Sequence, residues 1–377
     1  MSVYISKLAL TVPLLVAACG SHAVDLDSAT LTPSADPTSL GTVRELVLQI
    51  SVDEERLYWS ASDEQMFADS VSSPYSESAG RISLHSCAKV DCVGTLVRYD
   101  TSWDAESIFA LQHGEIYWLR WNVQTVHTEL VASNVLDPST TRVVLTNTQA
   151  FMIAADARNV YIEDGNNTLS SVPLAGAAAA TPLAVLSGET APYALQVQGD
   201  YLYWLGASGA RSYEGVVQRV RTDGTGTVET LASGFDFNAD ALHSWPFNLG
   251  GLALDASYAY WGVNTLRGSI LRCPLAGCTG DPEVVAAPIR TPSGLLINHG
   301  KLYFEHETDA FQYAVSSCTL GNCETAATVA GDVNRPNLFT VDDQYLYTAT
   351  TAQDQTPITN YDAHPATPVA QIRRLPK

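Results

Sequence analysis

The chain has 377 residues, of which 46% are apolar and 16% charged, and its formal net charge is −20. So acidic a surface, with only four lysines, repels nucleic acid and anionic headgroups and argues against phosphate readout. The apolar fraction suffices for a large core, and a single domain of about 335 residues is acceptable if the fold grows by repetition.

In chain order the first element is a leader. A single positive charge, Lys7, precedes an apolar run over 8–17, which ends in Val16-Ala17-Ala18-Cys19-Gly20. Such a run is a secretory signal, too short to serve as a mature membrane anchor. The Cys directly behind two small residues resembles the lipobox of bacterial lipoproteins. That resemblance implies cleavage after residue 18 and lipid attachment to the Cys19 thiol. Gly20 is not the Asp that holds such proteins at the inner membrane of enterobacteria, so the resemblance implies the outer membrane. An ordinary signal peptide cut after Ala23 is the competing reading. Residues 19–43, rich in Ser, Thr, Asp and Pro, read as a flexible tether from the lipid, with the folded domain over 44–377.

Seven times an alternating apolar segment then runs through a short turn into a Leu-Tyr-Trp-like triplet. The tyrosines of these triplets are Tyr58, Tyr117, Tyr161, Tyr203, Tyr260, Tyr303 and Tyr347, spaced 59, 44, 42, 57, 43 and 44 residues apart. A period near 43 with two insertions is the length of a four-stranded propeller blade, so the expected fold is an all-β, seven-bladed β-propeller with antiparallel blades. The fifth unit shows the strands most clearly, at 251–255, 258–263, 269–273 and 282–286, with turn residues between the runs. Its second strand is apolar on both faces, as expected between neighbouring blades. No stretch offers an amphipathic helix of three turns. The first inner strand is expected at 46–51. The last repeat has strands within 338–351 and at 369–374 but lacks a fourth, which residues 40–44 are predicted to supply, closing the ring and removing an open edge.

Seven cysteines are an odd count for an exported chain. Setting Cys19 aside leaves three C-x4-C pairs, Cys87/Cys92, Cys273/Cys278 and Cys318/Cys323, each around the third-to-fourth-strand turn of its repeat. Cysteines opposed across a hairpin have the separation a disulfide needs, and an oxidising compartment favours it. Zinc is the rival reading, but a tetrahedral site needs four ligands and these pairs fall on separate blades.

The hairpin Arg219-Val220-Arg221-Thr222-Asp223-Gly224-Thr225-Gly226, with Glu229-Thr230-Leu231-Ala232 after it, is similar to that of YWTD-type and NHL/TolB-like propellers. The Leu-Tyr-Trp strands resemble their second strands. The segment 268–278, Gly-Ser-Ile-Leu-Arg-Cys-Pro-Leu-Ala-Gly-Cys, resembles a repeat of uncharacterised propeller lipoproteins from myxobacteria-type predatory bacteria. These motifs are structural and imply no reaction.

Candidate site residues lie where second-to-third and fourth-to-first connections gather on one face. The long excursions are 60–80 with Phe67 and Tyr75, 234–250 with Phe235, Phe237, His243 and Trp245, and 348–368 with Tyr361. Aromatics in such loops suggest a contact surface, and a loop folded over its own apolar cluster is the alternative. Glu305 and His306, with Glu307 and Asp309, follow the sixth second strand and offer a cation or acid–base group, against a plain solvated loop. Arg290 and Arg335 precede first strands in equivalent positions at the channel mouth. His113 and His299 read as turn residues of the opposite face. No nucleophile elbow, Walker loop, HExxH helix or paired catalytic carboxylates are recognisable.

Two functions follow. The first is a non-catalytic, monomeric envelope scaffold that binds a protein or glycan partner, needs no cofactor or metal, and touches the membrane only through Cys19. The second rests on fold analogy alone: a lactonase-like, calcium-dependent hydrolase or lyase. Lactonase-type propellers hold a central calcium with inward acids and amides. The first strands here offer Gln49, Gln112, Asn248, Asn298 and Asn337, with few acids among them.

Overall fold

The computed structural model describes residues 38–43, 46–62, 81–103, 108–122, 125–150, 152–164, 167–174, 179–186, 192–208, 214–236, 251–308, 312–333, 339–351 and 370–377. All belong to one compact unit, Leu31–Lys377. The described residues form seven four-stranded antiparallel sheets and no helix. Six blades run in sequence order, at 46–103, 109–148, 152–185, 192–236, 252–289 and 293–333. The seventh takes its inner three strands from Phe339–Val341, Tyr345–Thr351 and Ala370–Pro376, and its outermost from Ser39–Val43. The protein is a seven-bladed β-propeller whose ends meet in one blade.

The expected strands are present with small changes at their ends. In the fifth blade they are Leu252–Leu254, Tyr258–Val263, Gly268–Pro274 and Glu283–Ile289. The first inner strand is Leu46–Val52. Closure by the N-terminal strand is also as expected: Gly41 pairs with Ile372, Thr42 with Gln371 and Val43 with Ala370. Residues 39–43, read from the sequence as part of a tether, are instead a strand of the last blade, so the folded domain begins before residue 44.

The repeated triplet works by alternation. On each second strand the tyrosine faces the following blade and the residue after it faces the preceding one. Tyr161 shares a core cluster with Trp204, and Tyr203 shares one with Trp261. Trp59, Trp204 and Trp261 are fully buried. Six of the seven blades thus insert one large apolar side chain into each neighbour, and full burial of such a side chain contributes about 1.5–3 kcal/mol. The slot after the tyrosine holds Trp59, Trp118, Ile162, Trp204, Trp261, Phe304 and Thr348 around the ring.

Six of the seven first-to-second hairpins follow two designs. Asp53, Asp156, Asp255 and Asp342 each accept two backbone N–H groups of their own turn on Oδ1 and the tyrosine five residues on through Oδ2, at 2.6–2.8 Å for the phenol. One carboxylate so shapes the turn and satisfies the phenol of a core tyrosine. The second design places His113-Gly114 and His299-Gly300 at positive φ, the requirement of a type I′ hairpin. His113 Nε2 also reaches the Ala157 carbonyl at 3.2 Å, and His299 Nε2 the Asp343 carboxylate at 2.5 Å, each on the next blade. They are turn residues, as the sequence suggests, and they also bridge blades.

At the closure, Lys89 of the first blade pairs with Asp342 of the seventh at 2.8 Å, and Arg374 Nη1 donates to the Lys89 carbonyl at 2.9 Å. Burial pushes the Asp342 carboxyl up. Hydrogen bonds from Lys89, the Gln344 and Tyr345 amides and Tyr347 outweigh that and hold it at about 2.

All three C-x4-C pairs are disulfides, with Cα separations of 4.6, 5.3 and 5.0 Å for Cys87–Cys92, Cys273–Cys278 and Cys318–Cys323. They point to an exported protein. Each closes a short loop and is expected to contribute about 2 kcal/mol. Replacing any one pair by Ser should lower the unfolding free energy by that much and shift the urea midpoint down accordingly, with near-additive losses because the bridges sit on separate blades. Unchanged midpoints would show that the bridges do not constrain the unfolded chain.

Candidate functional site

The first-to-second hairpins, with their Asp clamps, and the three disulfides occupy one face of the ring. The second-to-third and fourth-to-first connections leave the other. Its longest excursions depart from and return to strands that end at Ser62, Asp236 and Thr351 and resume at Arg81, Leu252 and Ala370. Phe67, Tyr75, Phe237, His243, Trp245, Arg335 and Tyr361 lie outside the described residues, as does Cys19. Phe235 does not belong to a contact loop. It ends up in the strand Glu229–Asp236, buried against Trp261 with ring centroids 5.2 Å apart.

Three candidates of this face are described: Arg290, Glu305 and His306. Glu305-His306-Glu307 does not form the solvated loop that its polarity suggests. These residues end the strand Lys301–Glu307, and Glu305 is completely buried. Alternation turns Glu305 and Glu307 toward the seventh blade and His306 the other way, so they cannot converge on one cation. Among the described residues no group of three His, Cys, Asp or Glu side chains is placed to hold a metal.

Each group is instead tied into the blade. His306 Nε2 lies 2.9 Å from Ser316 Oγ, and Arg290 Nε lies 3.2 Å from Glu307 Oε2. The Thr291 hydroxyl donates to the same carboxylate at 3.4 Å from a residue at φ 44°. A β-branched residue in that region is strained. Tyr313, opposite Glu307, has its phenol pushed up to about 12 by burial and by the charges of Glu307 and Glu305, so it stays a neutral donor. Beside them the hydroxyls of Ser293 and Thr348 are buried without a hydrogen-bond partner among the described residues. Glu305, Glu307 and Tyr313 thus form a polar shelf toward the seventh blade, while His306 and Ser316 lie on the opposite side of the sheet.

Two of the inner-strand amides read as possible calcium ligands have structural partners. Gln49 accepts from the Phe109 amide at 3.0 Å and donates to its carbonyl at 3.4 Å, joining the first and second blades. Asn298 accepts from Lys377 at 2.6 Å, and Asn248 and Asn337 lie outside the described residues.

A second feature of this face was not legible from the motifs. Between the second and third blades lies a cleft of about 330 Å³, lined by His127, Thr146, Asn147, Gln149, Asp164 and Ser170. Its apolar floor includes Ile162, which occupies the slot that holds a Trp in four other blades. On the far side of the same strand Glu163 faces the fourth blade. Burial, with the Asp164 charge adding to it, pushes its carboxyl up to about 8.

No family model and no curated protein matches the chain. Solved structures do. The β-propeller domain of the Trilobed protease from Pyrococcus furiosus, described as having an open velcro topology, matches at 9% identity, covering 85% of this chain and 99% of that one, with a TM-score of 0.55. The acylaminoacyl peptidase of Pyrococcus horikoshii matches at 11% identity over 81% of this chain and 49% of its own, with a TM-score of 0.53. A prolyl endopeptidase matches at 13% identity over 81% and 44%, with a TM-score of 0.52. The chain spans under half the length of both peptidases. At these identities the likeness is one of fold.

Proposed function

We propose that this protein is an exported, non-catalytic envelope lipoprotein of the myxobacteria-type propeller kind. It is anchored through Cys19, tethered by the residues before Ser39, and binds a protein or glycan partner through the loop-rich face. The observation that carries this reading is the division of labour between the two faces. Turn clamps, disulfides and the ring closure stiffen one, while the three longest excursions leave the other. A rigid ring that presents long loops on one side suits recognition, because the ordering cost falls on the loops alone.

Two measurements test it. Cys19→Ser should abolish metabolic palmitate labelling and move the protein from the membrane to the soluble fraction; continued membrane association would remove the anchor from the account. Excursions 63–80 and 352–369, replaced by Gly-Ser turns, should abolish co-sedimentation with purified peptidoglycan sacculi or outer-membrane vesicles without lowering the melting temperature. Absence of binding by the wild type, or calcium-dependent turnover of a lactone, would overturn the scaffold reading.

A further inference from the structure

The cleft lies at the junction of the second and third blades. In four blades the residue after the repeat tyrosine is a Trp whose indole packs toward the preceding blade. In the third blade it is Ile162, which borders this opening of about 330 Å³. That is the lower end of the size of small-molecule sites.

The rim is unusual in its backbone. Six described non-glycine residues have positive φ, and three of them flank this cleft: Val126 at 59°, Asn147 at 56° and Asn167 at 59°. Asn tolerates the left-handed region, but a β-branched Val there is a genuine outlier. Strain of this kind persists where the surrounding structure enforces it, and it collects at ligand sites. Asn147 and His127, next to Val126, both line the cleft.

The chemistry of the lining selects a ligand class. Ser170 is 5% exposed, sits beside Ile162 in register, and its hydroxyl opens onto the cleft with no partner among the described residues. His127, Thr146, Asn147 and Gln149 likewise make no side-chain hydrogen bond there. Imidazole, hydroxyls and amides both donate and accept, as a polyol does. No Lys or Arg lines the cleft and Asp164 does, so an anion has no counter-charge. Leu145 and Ile162 provide an apolar patch for the C–H face of a ring. We infer that this cleft binds a neutral, hydroxyl-rich ligand, the terminal ring of a carbohydrate. The inference rests on the binding function proposed above and narrows its partner to a glycan.

The test uses the full mature chain with its disulfides intact. Glucose, galactose, N-acetylglucosamine and chitobiose serve as neutral probes, glucose 6-phosphate as the anionic one and putrescine as the cationic one. Saturation-transfer NMR and calorimetric titration read binding, and purified sacculi distinguish a polymer end from a free sugar. At least one neutral sugar or the sacculus should bind. Ile162→Trp, which restores the indole of the other blades, should weaken that binding by at least about tenfold. If that variant fails to fold, Asn147→Gly combined with Gln149→Ala, both exposed and compatible with the local backbone, should do the same. Failure of every neutral probe and of sacculi to bind overturns the inference, as does binding of the phosphate or diamine alone. Sugar binding that survives both variants overturns the assignment to this cleft while leaving the loop-face function standing.

Discussion

A chain beginning at residue 45 is expected to be about 4 kcal/mol less stable than one beginning at residue 38, and to associate as its concentration rises. The difference between the two is the strand Ser39–Val43, which supplies the outer ladder of the seventh blade. Losing it forfeits several backbone hydrogen bonds at about 1 kcal/mol each, including that from the Arg374 amide to the Thr38 carbonyl at 2.7 Å, together with the packing of Leu40 on the core. It also uncovers Ala370–Pro376 as a free edge, the template for pairing with a second copy. The ring should stay folded, since Lys89–Asp342 and the Arg374–Lys89 contact remain. Urea midpoints and light scattering of the two chains decide the matter. Equal midpoints would mean that the strand adds nothing to the ring.

Glu163→Gln should stabilise the propeller at alkaline pH and leave it unchanged near pH 5. The native carboxyl titrates at about 8 because burial against the fourth blade disfavours its charge, whereas in the unfolded chain it titrates near the ordinary glutamate value of about 4.3. Between those values the native state holds a proton that the unfolded state has released. Stability therefore falls as pH rises from about 4.5 to about 8, by a few kcal/mol in all, and levels off above. The amide has the shape of the protonated acid and does not ionise, so the variant should lose that slope. Asp342 runs the opposite way. Its native carboxyl lies at about 2, so its contribution is present above pH 4 and disappears as the pH drops toward 2. Urea denaturation of both proteins from pH 4 to 9 reads the difference, and parallel curves would show that Glu163 is not held neutral.

Much of the site was hidden in the sequence for one physical reason: burial depends on what lies across the interface. Glu305-His306-Glu307 reads as solvated because three polar residues in a row usually are. The strand continues through them because Arg290, Thr291, Ser316 and Tyr313 supply partners from two other segments. Phe235 reads as a loop aromatic because a glycine precedes it, yet Trp261 of the next blade holds it in a strand. The Asp-x4-Tyr clamp, by contrast, is local and repeats four times, so it was legible in principle and lay beside the triplets that were read.

The sequence by itself determined the blade number, the order and limits of the strands, the hairpin disulfides and the closing strand. Each of these follows from alternation, turn chemistry or a fixed period along the chain. Only the tertiary structure decided which polar groups are buried, which amides and histidines tie one blade to the next, and where a cleft opens. Those depend on residues from different strands and blades meeting across the fold, and no local pattern encodes what a neighbour's side chain leaves unfilled.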